Sequence, residues 1–77
     1  MKKIYSIKDK KSGFNPQLMI FDNDEIAIRY FKVLSQDEKS LLFMYEEDFE
    51  LWCLGSIDFL TGVITSEPNF IYTCYGD

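Results

Sequence analysis

The sequence has 77 residues, 47% of them apolar, 17% aromatic and 27% charged, with a formal net charge of −5. That apolar content excludes a disordered tail, and the length allows one compact domain, residues 1–77, burying roughly 60–65% of its unfolded surface. No apolar run reaches the roughly 20 residues that cross a bilayer, and residues 4–11 carry too much charge for the apolar part of a signal peptide, so the expected setting is the inside of a cell, with no membrane.

In chain order, residues 3–9 alternate as Ile4, Ser6, Lys8 against Tyr5, Ile7, Asp9, the pattern of a strand with one wetter face. Residues 10–16 gather the Lys, Ser, Gly, Asn and Pro of a turn, and residues 18–21 form a second, well-buried strand, completing an N-terminal hairpin. Asp22 or Asn23 caps a helix over about 24–35, with Glu25 placed to complete a capping box. Ala27, Tyr30, Phe31 and Leu34 lie on one face of that helix, and Glu25 and Arg29 are i,i+4 partners on another.

A polar connection over residues 35–40 leads to residues 41–45, which read as a short strand or a turn of helix. Residues 49–57 alternate again, with Phe49, Leu51 and Cys53 on one side and Glu50, Trp52 and Leu54 on the other. Residues 58–62 suit a hairpin turn in which Asp58 accepts from turn amides and Gly62 takes a positive φ. Residues 63–65 return, Pro68 marks an end, and residues 70–75 supply a last strand. The fold class is therefore α+β: one helix, about 24–35, packed on a small, mainly antiparallel sheet of four to five strands in the order β-β-α-β-β-(β).

Histidine is absent and the two cysteines, Cys53 and Cys74, sit in apolar surroundings, which excludes zinc spacing and cysteine–histidine nucleophiles. Both are expected as reduced core thiols on strands. Glu46, Glu47, Asp48 and Glu50 form an acidic run, but consecutive residues on extended chain point apart and do not converge on a cation. With no glycine-rich phosphate loop and no serine-based motif, the chain reads as a non-enzyme without cofactor or metal.

Charge is distributed unevenly. Residues 1–11 hold five lysines against one aspartate, a balance of +4, while residues 12–77 stand at −9. A basic end steers towards phosphates, so Lys2, Lys3, Lys8, Lys10 and Lys11, with Arg29 and Lys32, are candidate DNA contacts, and Trp52 is the candidate stacking platform for an unpaired base. Tyr5, Tyr30, Tyr45, Tyr72 and Tyr75 are further aromatics of that kind. Phe59 and Leu60 stand at the tip of the 58–62 hairpin, where polar residues are usual, and are candidates for protein contact.

The ordered set of residues 23–31, 47–51, Gly55, Asp58, Thr61 and Gly62, with Ser6, Ile7, Asp9, Lys10 and Lys11 before it, resembles the small nonstructural protein of the gokushovirus group of microviruses. The resemblance runs through roughly residues 3–68. It implies a phage-encoded protein of the host cytoplasm, associated with DNA binding and with the switch from genome replication to packaging of single-stranded DNA. Two departures, the apolar tip Phe59 and Leu60 and the apolar segment 41–46, favour protein contact in those regions. Two partners are thus expected, single-stranded DNA or a viral or host replication or procapsid protein, together with a possible homo-oligomer.

Overall fold

The computed structural model describes residues 1–74. The chain forms β1 (Lys2–Asp9), β2 (Gly13–Phe14), β3 (Met19–Phe21), α1 (Asp24–Ser35), α2 (Leu41–Met44), a 3₁₀ turn (Glu46–Asp48), β4 (Phe49–Ile57) and β5 (Ile64–Tyr72). The sheet is antiparallel, with strand order β2-β1-β4-β5 and β3 on the same edge of β1 as β2. The α+β class, the N-terminal hairpin and the helix over 24–35 stand as the sequence patterns imply, but the hairpin's second strand is not well buried: it is a short edge piece, so Met19 and Phe21 pack against the core while Leu18 and Ile20 stay exposed.

β1 is paired along both sides. Lys8 and Asp9 meet Phe14 and Gly13, Lys3 to Tyr5 meet β3, and the whole strand from Lys2 to Asp9 meets β4. That position explains why three consecutive residues, Ile4, Tyr5 and Ser6, are buried. A buried hydroxyl needs a partner, and Ser6 Oγ donates to the Asn15 carbonyl at 2.8 Å, pinning the loop that follows β2.

The core lies between the sheet and the helices. Tyr5, Leu51 and Cys53 from the sheet meet Ala27 and Phe31 of α1 and Leu42 of α2. Asn23 caps α1, its Oδ1 accepting from the Ile26 amide at 3.0 Å, while Asp22 pairs with Lys2 instead. Tyr30 does not join the buried face: it stays 43% exposed against the Phe21 ring, and Ser35 is buried in the last turn. No Glu25–Arg29 ion pair forms among the described residues. The ambiguous segment 41–45 is one helical turn, capped by Ser40 Oγ accepting from the Leu42 amide at 3.0 Å.

Pro68 does not end a strand. The segments expected at 63–65 and 70–75 are one strand, β5, with Tyr75 outside the described residues. The pairing passes from Cys53↔Asn69 to Gly55↔Ser66, so Glu67 and Pro68 together oppose Leu54 in a bulge. Proline lacks a backbone donor and is tolerated where a bulge on an outer strand needs none. The same Leu54 is the extra residue between Ile4↔Gly55 and Tyr5↔Cys53. Gly55 makes the double irregularity possible: its φ is +150°, and a Cβ there would stand 1.9 Å from the Thr65 carbonyl oxygen. Cys74 lies just past β5, half-buried, its Sγ 3.3 Å from Ser35 Oγ, so of the two thiols Cys53 alone sits on a strand.

Tyr5 ties the sheet to the start of α1. Its hydroxyl donates to Asp24 Oδ1 at 2.6 Å, and Lys3 Nζ lies 3.4 Å from the same oxygen. Burial first, and then the Asp24 carboxylate, push the Tyr5 phenol well above the ordinary tyrosine range.

Two outcomes are expected. Gly55→Ala loses at least about 3 kcal/mol by urea denaturation, because backbone must move, whereas Gly13→Ala, with φ +97° but open space around it, loses about 1–2 kcal/mol. Equal losses would show that β4 and β5 are not held this close. For Tyr5, the neutral phenol is the favoured form in the fold, so its contribution is complete below the unfolded value of about 10 and fades as pH rises above it. Tyr5→Phe therefore starts about 1–2 kcal/mol lower at pH 7 but falls less steeply than the wild type between about pH 10 and 12. Parallel alkaline arms would contradict the buried phenol–carboxylate bond.

Candidate functional site

Alternation along β1 separates the expected cluster of lysines onto two faces and two ends. Lys2 and Lys8 lie six residues apart on one strand, about 20 Å. Each end is met by acids from a different element: Lys2 pairs with Asp22, Lys3 with Asp24 at 3.4 Å, Lys10 with Glu50 at 3.9 Å and Lys11 with Asp48 at 3.5 Å. The acidic run is therefore folded against the turn after β1, where the Asp48 carbonyl also accepts from the Lys10 amide at 2.8 Å. Such partly exposed pairs hold loosely, at about 0–1 kcal/mol each, yet they remove the +4 balance as a free patch.

Lys8 is different. Cross-strand partners in an antiparallel sheet point to the same face, so the register Phe14↔Lys8↔Glu50 and Ser6↔Trp52↔Phe70 gathers these side chains on the face opposite α1. There the Lys8 ammonium sits 4.9 Å from the Trp52 ring centroid and 5.4 Å from that of Phe14. The indole meets Phe14 at 5.6 Å and Phe70 at 6.2 Å, both nearly perpendicular. Its Nε1 donates to Glu50 Oε1 at 3.0 Å, which fixes the ring's orientation. Phe14 and Phe70 are each nearly half exposed and Trp52 is half-buried. Two aromatic rings against one held cation, with a third packed on the indole from β5, thus lie on an open sheet face.

Arg29 is exposed on α1, and Lys32, also on α1, places its Nζ 5.3 Å from the Tyr72 ring centroid, so both stand on the helix side, away from Lys8. Of the expected DNA contacts, the fold brings only Lys8 and Trp52 into direct contact. Phe14 and Phe70 complete the group and escape sequence reasoning. Phe14 follows a turn and has no strand pattern of its own, and Phe70 lies beyond a proline. The available signal was phase: Trp52 falls out of step with Leu51 and Cys53, which assigns it to the other face.

Phe59 and Leu60 are 65% and 93% exposed at the hairpin tip. The turn is built as its residues suggest, with Asp58 Oδ1 accepting from the Leu60 amide at 2.9 Å, the Gly62 amide donating to the Asp58 carbonyl at 2.7 Å and Gly62 at φ +79°. A crevice of about 510 Å³ lies at the opposite end of β1, between Ile7, Phe14, Pro16, Leu41 and Phe49, and no helix among the described residues is long and apolar enough to cross a membrane.

Against known proteins, residues 2–75 match the family model described as Phage ORF5 protein. The chain is 38% identical over 58 residues to "Protein ORF5" of Chlamydia phage 1, across 70% of this chain and 60% of that relative's length. No solved structure matches.

Proposed function

This chain belongs to the Phage ORF5 protein family, and on that premise we propose that it is a phage-encoded nonstructural accessory protein that binds unpaired DNA through the open face of its sheet. It acts by binding and not by catalysis, in the host cytoplasm, where a single-stranded genome passes from replication to packaging. The observation that carries this reading is the exposed row Phe14, Trp52 and Phe70, with Lys8 held over the first two rings. Bases stack on exposed aromatic rings at about 1–3 kcal/mol each, whatever their identity, and a cation held over the rings is placed to meet a phosphate. Duplex DNA has no free base faces to offer. The four paired lysines support a modest, local contact, because each must leave a carboxylate before it meets a phosphate.

The exposed tip, Phe59 and Leu60, supports a second reading, in which the protein modulates a replication or procapsid component without touching DNA.

Titration with a single-stranded oligonucleotide at two salt concentrations separates the two. Binding through Lys8 alone gives a log–log salt slope of about −0.7, and of about −1.4 if Lys10 also leaves Glu50. Trp52→Ala weakens binding by about 5- to 150-fold, the range that one lost stacking contact supplies. Wild-type affinity in a folded Trp52→Ala, Phe70→Ala protein, or no affinity at low salt, would overturn the DNA reading. Phe59→Asp, Leu60→Asp is expected to leave DNA binding unchanged and to reduce protein capture on the second reading.

A further inference from the structure

The sheet ends differently on its two sides. On one side β2 and β3 are pieces of two and three residues, while on the other β5 runs for nine with no neighbour beyond it among the described residues. Natural edges are guarded by charges, proline or bulges. β5 has such a guard at Glu67 and Pro68 and its bulge, but none before it: residues 59–66 contain no charge in a chain that is 27% charged. Within that stretch Phe59, Leu60, Val63 and Ile64 are 57–93% exposed.

The backbone of this stretch is open to pairing. The Val63 carbonyl accepts from the Asp58 amide at 2.9 Å while its N–H donates to Thr61 Oγ1 at 3.2 Å, and the Thr65 carbonyl lies against Gly55, so both carbonyls point at β4. Antiparallel strands alternate the direction of those groups, so Ile64 and Ser66 turn their N–H and C=O outward.

We propose that residues 64–66 pair antiparallel with the same segment of a second copy, giving a two-fold dimer with one continuous sheet. A two-fold axis at Thr65 sets Ile64 opposite Ser66 of the second copy, and the two symmetric pairs close four backbone hydrogen bonds. Ile64 and Ser66 share a sheet face, so the open faces of both copies lie on one side. The charges do not oppose the seam despite a net −5 per chain: Glu67 stands opposite Val63 of the second copy, away from its own symmetry mate. Pro68 and the bulge then stop the pairing, which keeps it closed and finite.

The test is the solution mass of the full chain without DNA, by sedimentation equilibrium over a concentration series. A dimer is expected at tens of micromolar. Ile64→Pro and Ser66→Pro each remove an outward N–H and are expected to weaken the dimer at least about tenfold. Ile64→Lys adds an edge charge with no backbone change and decides the matter if a proline variant loses its native circular dichroism. Phe14→Asp, on the far side of the sheet, stays dimeric. A wild type that is monomeric throughout, a folded Ile64→Lys protein as dimeric as the wild type, or dissociation by Phe14→Asp alone would each overturn the proposal. Because no DNA is present, failure of the DNA reading leaves this measurement unaffected.

Discussion

The pairing of β1 along both of its sides is the constraint from which the other features follow. A strand hydrogen-bonded to β2 and β3 on one side and β4 on the other cannot shift register without turning every side chain to the opposite face. Its odd positions therefore carry Tyr5 and Ile7 towards α1, and its even positions carry Ile4, Ser6 and Lys8 to the open face. The Tyr5 hydroxyl on Asp24 then locks the start of α1 to this register from the helix side, and the Ser6 hydroxyl on the Asn15 carbonyl locks the β2 loop from the other.

The same register decides what the lysines do. As a string of residues they form a basic end, but β1 spreads them along its length and brings the chain's own acids from residues 22–24 and 48–50 alongside. Lys8 escapes because its position faces rings and its cross-strand carboxylate, Glu50, is engaged by Trp52 Nε1 and lies near Lys10. A cation over aromatic rings keeps its charge at a modest stabilisation, about 0.5–1 kcal/mol at exposed sites, which leaves it able to turn to a phosphate. The proposed DNA contact therefore rests on the one lysine of residues 1–11 that is held by rings and not by a carboxylate.

A chain this short has little core to conceal its apolar residues. α1 and α2 cover one face of the sheet through Ala27, Phe31 and Leu42, and among the described residues nothing of comparable size covers the other. The uncovered rings and the unguarded half of β5 are two consequences of that shortage. An open face suits a planar ligand, and an open edge suits another strand; the two occupy different parts of the sheet and are compatible in one assembly.

Local features were legible in the sequence because local physics sets them. The span of α1 follows from its cap and its apolar spacing, the 58–62 turn from Asp58 and Gly62, and the burial of Leu51 and Cys53 from alternation. Tyr30 departs from its helical face because spacing identifies such a face but not how much of it the sheet can cover. Pro68 continues its strand because a proline's effect depends on whether its strand is outermost and whether a bulge spares its missing donor, and neither is a property of neighbouring residues. The lysine–acid pairs and the union of Phe14, Trp52 and Phe70 were beyond sequence reading for the same reason: they join residues separated by some 20 to 40 positions, and only the strand order β2-β1-β4-β5 makes them neighbours. The sequence by itself determined which segments fold and what each could offer; the tertiary structure decided which charges are spent on one another and which aromatic face is left open.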